Sequence, residues 1–105
     1  MKHEVFYNGK EVALTVKEFE LLVYLFENKG RVLTRDMILN HVWGYGYFGT
    51  TRTVDVHITH LRQKISLLME AITTIKSVGY KLKELPEQSP GNEEQDKNPH
   101  QPISI

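Results

Sequence analysis

A chain of 105 residues has room for one domain, and at that size it buries a core without needing a disulfide or a metal. It holds no Cys, which excludes disulfide staples and thiolate zinc sites; the longest apolar run, Leu21 to Phe26, is too short for a bilayer, and Met1-Lys2-His3-Glu4 opens no secretory signal, so the sequence reads as soluble and cytoplasmic. The formal net charge of zero conceals an asymmetry, because residues 1–85 carry 12 Lys or Arg against 9 Asp or Glu, a balance of +3, whereas residues 86–105 carry one Lys against four acids.

Glu4-Val5-Phe6-Tyr7 and Glu11-Val12-Ala13-Leu14 flank Asn8-Gly9-Lys10, and Asn-Gly supplies the positive φ angles of a tight turn, which predicts a β-hairpin. Thr15-Val16-Lys17-Glu18 is a capping box that starts a first helix, with Phe19, Leu22, Val23 and Phe26 at helical spacing and a stop near Lys29-Gly30. Thr34 caps a shorter second helix with Ile38, Leu39 and Val42 as its apolar stripe, and Gly44 ends it. Tyr45-Gly46-Tyr47-Phe48-Gly49-Thr50-Thr51 has neither helical nor strand period and reads as a loop. A third helix is predicted from about Thr53 to Leu68. Thr73-Thr74-Ile75 and Tyr80-Lys81-Leu82 then alternate as strands around Lys76-Ser77-Val78-Gly79.

The order is hairpin, three helices, hairpin, an α+β winged helix-turn-helix plan whose final hairpin is the wing. From Pro86 the chain is rich in Pro, Gln, Asn, Ser and acids and is expected to be a disordered polar tail.

On the third helix, steps of about 100° place Val54, Ile58, Leu61 and Ile65 in one sector, which faces the core. The opposite sector holds Arg52, Val56, Thr59, His60 and Gln63, with Thr53 and Lys64 at its edge. Arg52 and Lys64 neutralise phosphates; Thr53, Thr59, His60 and Gln63 bond base edges or phosphates; Val56 offers methyl groups to thymine. A solvated helix face with one exposed valine explains the same residues about as well when taken alone. Lys76 at the last turn, with Lys81 and Lys83 beyond it, suits a minor groove, although a charged hairpin in solvent is the blander explanation.

The residues Leu14 to Leu22, Val42-Trp43-Gly44, Arg52 to Ile58, Leu61-Arg62-Gln63-Lys64 and Val78-Gly79-Tyr80 resemble the OmpR/PhoB-type effector domain of two-component response regulators, from about Glu11 to Leu82. The resemblance implies base contacts by Val56 and His60, with Thr53 close by, and a minor-groove contact by Lys76. It also implies phosphate contacts by Trp43, Arg52, His57, Thr59, Arg62, Thr74 and Tyr80. The Tyr45 to Thr51 loop, with Tyr45, Tyr47 and Phe48, would then be the element that touches RNA polymerase. A chain monomeric by itself would bind double-stranded DNA head to tail on direct repeats.

The chain departs from the family pattern at Thr59 and His60, where many members carry basic residues, and at Lys76-Ser77, where Arg-Gly is usual and Ser resists a positive φ. It also starts too late for the family's opening strands or a receiver domain, so phosphorylation control is not expected in these residues. Trp43 fits a core aromatic as well as a DNA contact. Arg62 fits an ion pair with Asp55 as well as a phosphate contact. An enzyme would have to use His41, His57, His60 or His100 with nearby acids; His57 and His60, one turn apart, have acceptable metal-ligand spacing, but no motif places a third ligand, so neither a metal, a cofactor nor catalysis is expected. A protein-interaction module built on the aromatic loop is the stronger rival to DNA binding.

Overall fold

The computed structural model describes residues 4–83. The boundary placed at Leu85 and the tail from Pro86 lie outside them. Strands β1 (Phe6–Tyr7) and β2 (Lys10–Glu11) pair antiparallel, Tyr7 opposite Lys10, and the turn between them has Asn8 at φ 54° and Gly9 at φ 77°. Two positive φ angles in succession are what a type I′ turn requires, so the Asn-Gly reading holds, in a hairpin shorter than expected.

Helix α1 (Val16–Glu27) starts on the predicted capping box: Thr15 Oγ1 accepts the Glu18 N–H, and Glu18 Oε1 accepts the Thr15 N–H. Its innermost side chains are Leu21, Leu22 and Leu25, while Phe19 and Phe26 pack at the margin and Val23 is half-buried. The buried face is thus turned from the expected stripe, because α1 packs against both other long helices and must bury the sector between them.

Strand β3 (Leu33–Thr34), unforeseen from the sequence, leads into α2 (Arg35–Trp43), which Thr34 caps by accepting the Met37 N–H. Helix α3 (Arg52–Lys64) is shorter than predicted. Ile65 leaves helical geometry at φ −128°, ψ 96°, and a separate turn, α4 (Leu68–Ala71), follows. Ile65 and Leu68 are both buried, so the apolar spacing runs through the break and conceals it.

Strands β4 (Ile72–Ile75) and β5 (Gly79–Leu82) form the C-terminal hairpin, and β3 joins the free edge of β5 in the order β3-β5-β4. Gly79 stands opposite Thr34, where a Cβ would lie 2.0 Å from the Leu33 carbonyl oxygen. Only glycine lets the two backbones approach this closely. The hairpin turn closes through Val78 N–H to the Ile75 carbonyl, with Ser77 at φ 65° as the third residue, the φ pattern of a type II turn. The core is continuous from Val5 through the three long helices to Ile72, Tyr80 and Leu82. No helix among the described residues is long and apolar enough to cross a membrane.

Candidate nucleic-acid interface

Helix α3 divides as its periodicity predicts. Val54, Ile58, Leu61 and Ile65 have no exposed surface, whereas Arg52, Val56, Thr59, His60, Gln63 and Lys64 are exposed and Thr53 is half-buried. Val56 is 40% exposed, an apolar patch amid polar side chains. The helix has one carboxylate, Asp55, half-buried and engaged by neighbouring elements: Oδ1 accepts from Arg35 Nε at 2.8 Å and from the Tyr80 phenol at 2.5 Å.

This arrangement joins three elements. Arg35 begins α2, Asp55 lies in the first turn of α3, and Tyr80 lies in β5, buried to 4% exposure. The guanidinium of Arg35 sits 5.1 Å from the Tyr80 ring centre, and that of Arg62 sits 5.8 Å from it. Burial, together with the bond to Asp55, pushes the Tyr80 phenol above its ordinary pKa, and the Asp55 carboxylate raises that of Arg35.

The expected pairing of Arg62 with Asp55 is not formed. Arg62 reaches from α3 to the hairpin instead, giving Nη2 hydrogens to the Ile72 carbonyl at 2.5 Å and to Thr74 Oγ1 at 2.9 Å. Seven residues along a helix bring two side chains to one face, yet Asp55 bonds Arg35 at the start of α2 and Tyr80 in β5. Sequence spacing carries no signal for Arg35, twenty residues upstream.

A second polar cluster ties α1 to the other end of α3. Glu18, 2% exposed, receives Lys64 Nζ on Oε1 at 2.7 Å, and its Oε2 stands 3.5 Å from His60 Nδ1. Lys64 also donates to the Ala13 carbonyl. Burial raises the Glu18 pKa, but the hydrogen bonds from Lys64 and Thr15 and the nearby positive charge outweigh it and hold the carboxyl below its ordinary value.

Nearer the second helix, Trp43 is half-buried against the core and meets the His57 ring edge-on at 4.9 Å, with Tyr47 6.2 Å away. His57 Nδ1 lies 2.7 Å from the Thr53 carbonyl, and since a carbonyl only accepts, that nitrogen carries the proton. Thr59 Oγ1 donates to the Asp55 carbonyl at 3.0 Å. Arg52 and, at the hairpin turn, Lys76 are exposed without a side-chain partner among the described residues. Thr74 is exposed beside Lys76. In the loop before α3, Tyr45 is 89% and Phe48 99% exposed. Among the described residues no group of three His, Asp or Glu is placed to hold a metal.

The geometry can be set beside known proteins. The pattern of the family described as "Transcriptional regulatory protein, C terminal" matches residues 9–82. The transcriptional regulatory protein VxrB of Vibrio cholerae is 56% identical over 80 residues, covering 76% of this chain and 32% of that protein. The alkaline phosphatase synthesis transcriptional regulatory protein PhoP of Bacillus subtilis is 52% identical over 85 residues, covering 78% of this chain and 35% of PhoP. This chain therefore spans about a third of the length of these relatives. Among solved structures, the DNA-binding domain of Bacillus subtilis CssR superposes with a TM-score of 0.66 at 42% identity, over 71% of this chain and 83% of that one. With the family pattern reaching from the first hairpin to the last strand, the chain belongs to the C-terminal domains of transcriptional regulatory proteins of the OmpR/PhoB response-regulator type, and its fold is their winged helix.

Proposed function

We propose that this domain binds double-stranded DNA in the cytoplasm as the sequence-reading part of a two-component transcription regulator, with α3 in the major groove and the β4–β5 turn in the adjacent minor groove. One observation carries the reading: the exposed face of α3 presents donors and a methyl patch, while the helix's one carboxylate, Asp55, is half-buried and already engaged by Arg35 and Tyr80. A groove lined by phosphates repels an acidic face and accepts this one. The CssR domain, of the same fold, is described as DNA-binding.

In this reading Val56 and His60, with Thr53 beside them, meet base edges, and Lys76 enters the minor groove. Arg52, Trp43, His57, Arg62 and Thr74 meet phosphates. Thr59, Lys64 and Tyr80 hold inner partners in the free chain. Thr59 and Tyr80 each have one hydroxyl proton, already given to Asp55, so either would have to release it to donate to a phosphate. Lys64 has a third hydrogen free, but its ammonium is paired with Glu18. Tyr45, Tyr47 and Phe48 project an aromatic surface suited to RNA polymerase, and copies on direct repeats would lie head to tail. The role is one of binding, without catalysis or cofactor.

Salt titration on a DNA site selected from a random pool tests the reading. Each phosphate contact should contribute about −0.9 to the slope of log affinity against log salt, and Lys76→Ala should lower its magnitude by about one unit. A flat salt response would favour a protein partner instead.

A further inference from the structure

We infer that Glu18 is a positioning residue for base recognition: it fixes His60 as the Nδ1–H tautomer, so that the neutral ring presents Nε2 to the groove as an acceptor and selects a base with an amino donor. The inference rests on the proposed reading of His60 as a base contact.

Glu18 lies on α1, away from the exposed face, and is almost wholly buried, whereas the His60 side chain is 49% exposed. One edge of the imidazole faces inward, with Nδ1 3.5 Å from Glu18 Oε2. Glu18 is held as a carboxylate by Lys64 Nζ and the Thr15 N–H, both on Oε1, which leaves Oε2 to His60. A carboxylate oxygen only accepts. An unprotonated Nδ1 would set one lone pair against another, while Nδ1–H is attracted, so the neutral ring carries its proton on the Glu18 side. Nε2 is then left with a lone pair. In the major groove that acceptor matches adenine N6 or cytosine N4 and opposes guanine N7 and O6 or thymine O4. His57 lies 6.1 Å from His60 between ring centres, and its own Nδ1 proton is committed to Thr53, so it does not compete for Glu18.

The isosteric change Glu18→Gln inverts this polarity. Lys64 and the Thr15 N–H both donate at the Oε1 position, so the amide oxygen occupies it and the NH2 group faces His60 Nδ1. That nitrogen must then accept, and Nε2 takes the proton.

The test uses the free 105-residue chain at a pH where its imidazoles are neutral, with long-range proton–nitrogen correlation spectra and His60→Gln to identify the His60 signals. His60 is expected as Nδ1–H in the unmutated chain and as Nε2–H in Glu18→Gln. Selection from random DNA should then move at one position from adenine or cytosine to guanine or thymine, a change of about tenfold in relative affinity. An Nε2–H tautomer in the unmutated chain would overturn the inference, and that spectrum decides even if Glu18→Gln fails to fold. An unchanged tautomer in folded Glu18→Gln would also overturn it. If the tautomer inverts but His60→Ala leaves base selection unchanged, Glu18 still positions the ring, and it is the base contact by His60 that falls, along with the selection of an amino-bearing base.

Discussion

The Tyr80 phenol donates to the Asp55 carboxylate at 2.5 Å, fastening strand β5 of the hairpin to the first turn of α3. The two elements proposed to enter neighbouring grooves are therefore held in register by a partly buried bond, with Arg35 on the same carboxylate oxygen. A hydrogen bond to a charged group contributes about 1.5–3 kcal/mol. Tyr80→Phe should lower stability by about that amount in denaturant titration, with the fold kept, since the ring still fills its place in the core. A loss well below 1 kcal/mol would show that the bond contributes little.

Glu18 predicts the response to acid. Its folded-state pKa lies below the ordinary carboxylate value, so its contribution to stability is complete above the unfolded-state pKa and is lost as pH falls through the folded one. Thermal midpoints should fall over that acid range. Lys64→Met removes the largest opposing cause and leaves burial to dominate, so this variant should be less stable at neutral pH and should lose less on acidification. Parallel pH profiles for the two chains would contradict the assignment.

The wing contains an opposed pair of substitutions. Gly79→Ala drives a methyl group into the Leu33 carbonyl and should cost about 1–3 kcal/mol as β3 and β5 separate. Ser77→Gly relieves a positive φ and should leave stability unchanged or raise it by up to about 1 kcal/mol. Both follow from denaturant midpoints, and equal signs would contradict the backbone geometry described.

Much of this could be read in the sequence because it is local. The Asn8-Gly9 turn, the Thr15 and Thr34 caps and the inward face of α3 each depend on residues a few positions apart. What escaped was long-range. Strand β3 has two residues and exists because β5 offers an edge to pair with. The break after Lys64 preserves apolar spacing, and the partners of Asp55 and Glu18 lie on other elements. The outward residues of α3 are correctly sorted by period, but the period cannot show that Thr59 and Lys64, like Tyr80 in β5, already hold partners in the free chain.

His57 gives a prediction about protons. Its Nδ1 proton is bound to the Thr53 carbonyl, so in the neutral ring Nε2 is an acceptor and faces a phosphate unfavourably. Long-range proton–nitrogen correlation spectra of the free chain should show His57 as the Nδ1–H tautomer, with His57→Gln identifying its signals; an Nε2–H tautomer would contradict the bond to Thr53.

The affinity of His60→Ala for a selected DNA site, compared with its affinity for an unrelated duplex at the same salt, examines the outward face of α3 most directly. The variant should lose about 1–3 kcal/mol on the selected site and almost nothing on the unrelated one, since a base-edge contact contributes to the first alone. Equal losses on the two duplexes, or none on either, would contradict the placement of this face of α3 in the major groove.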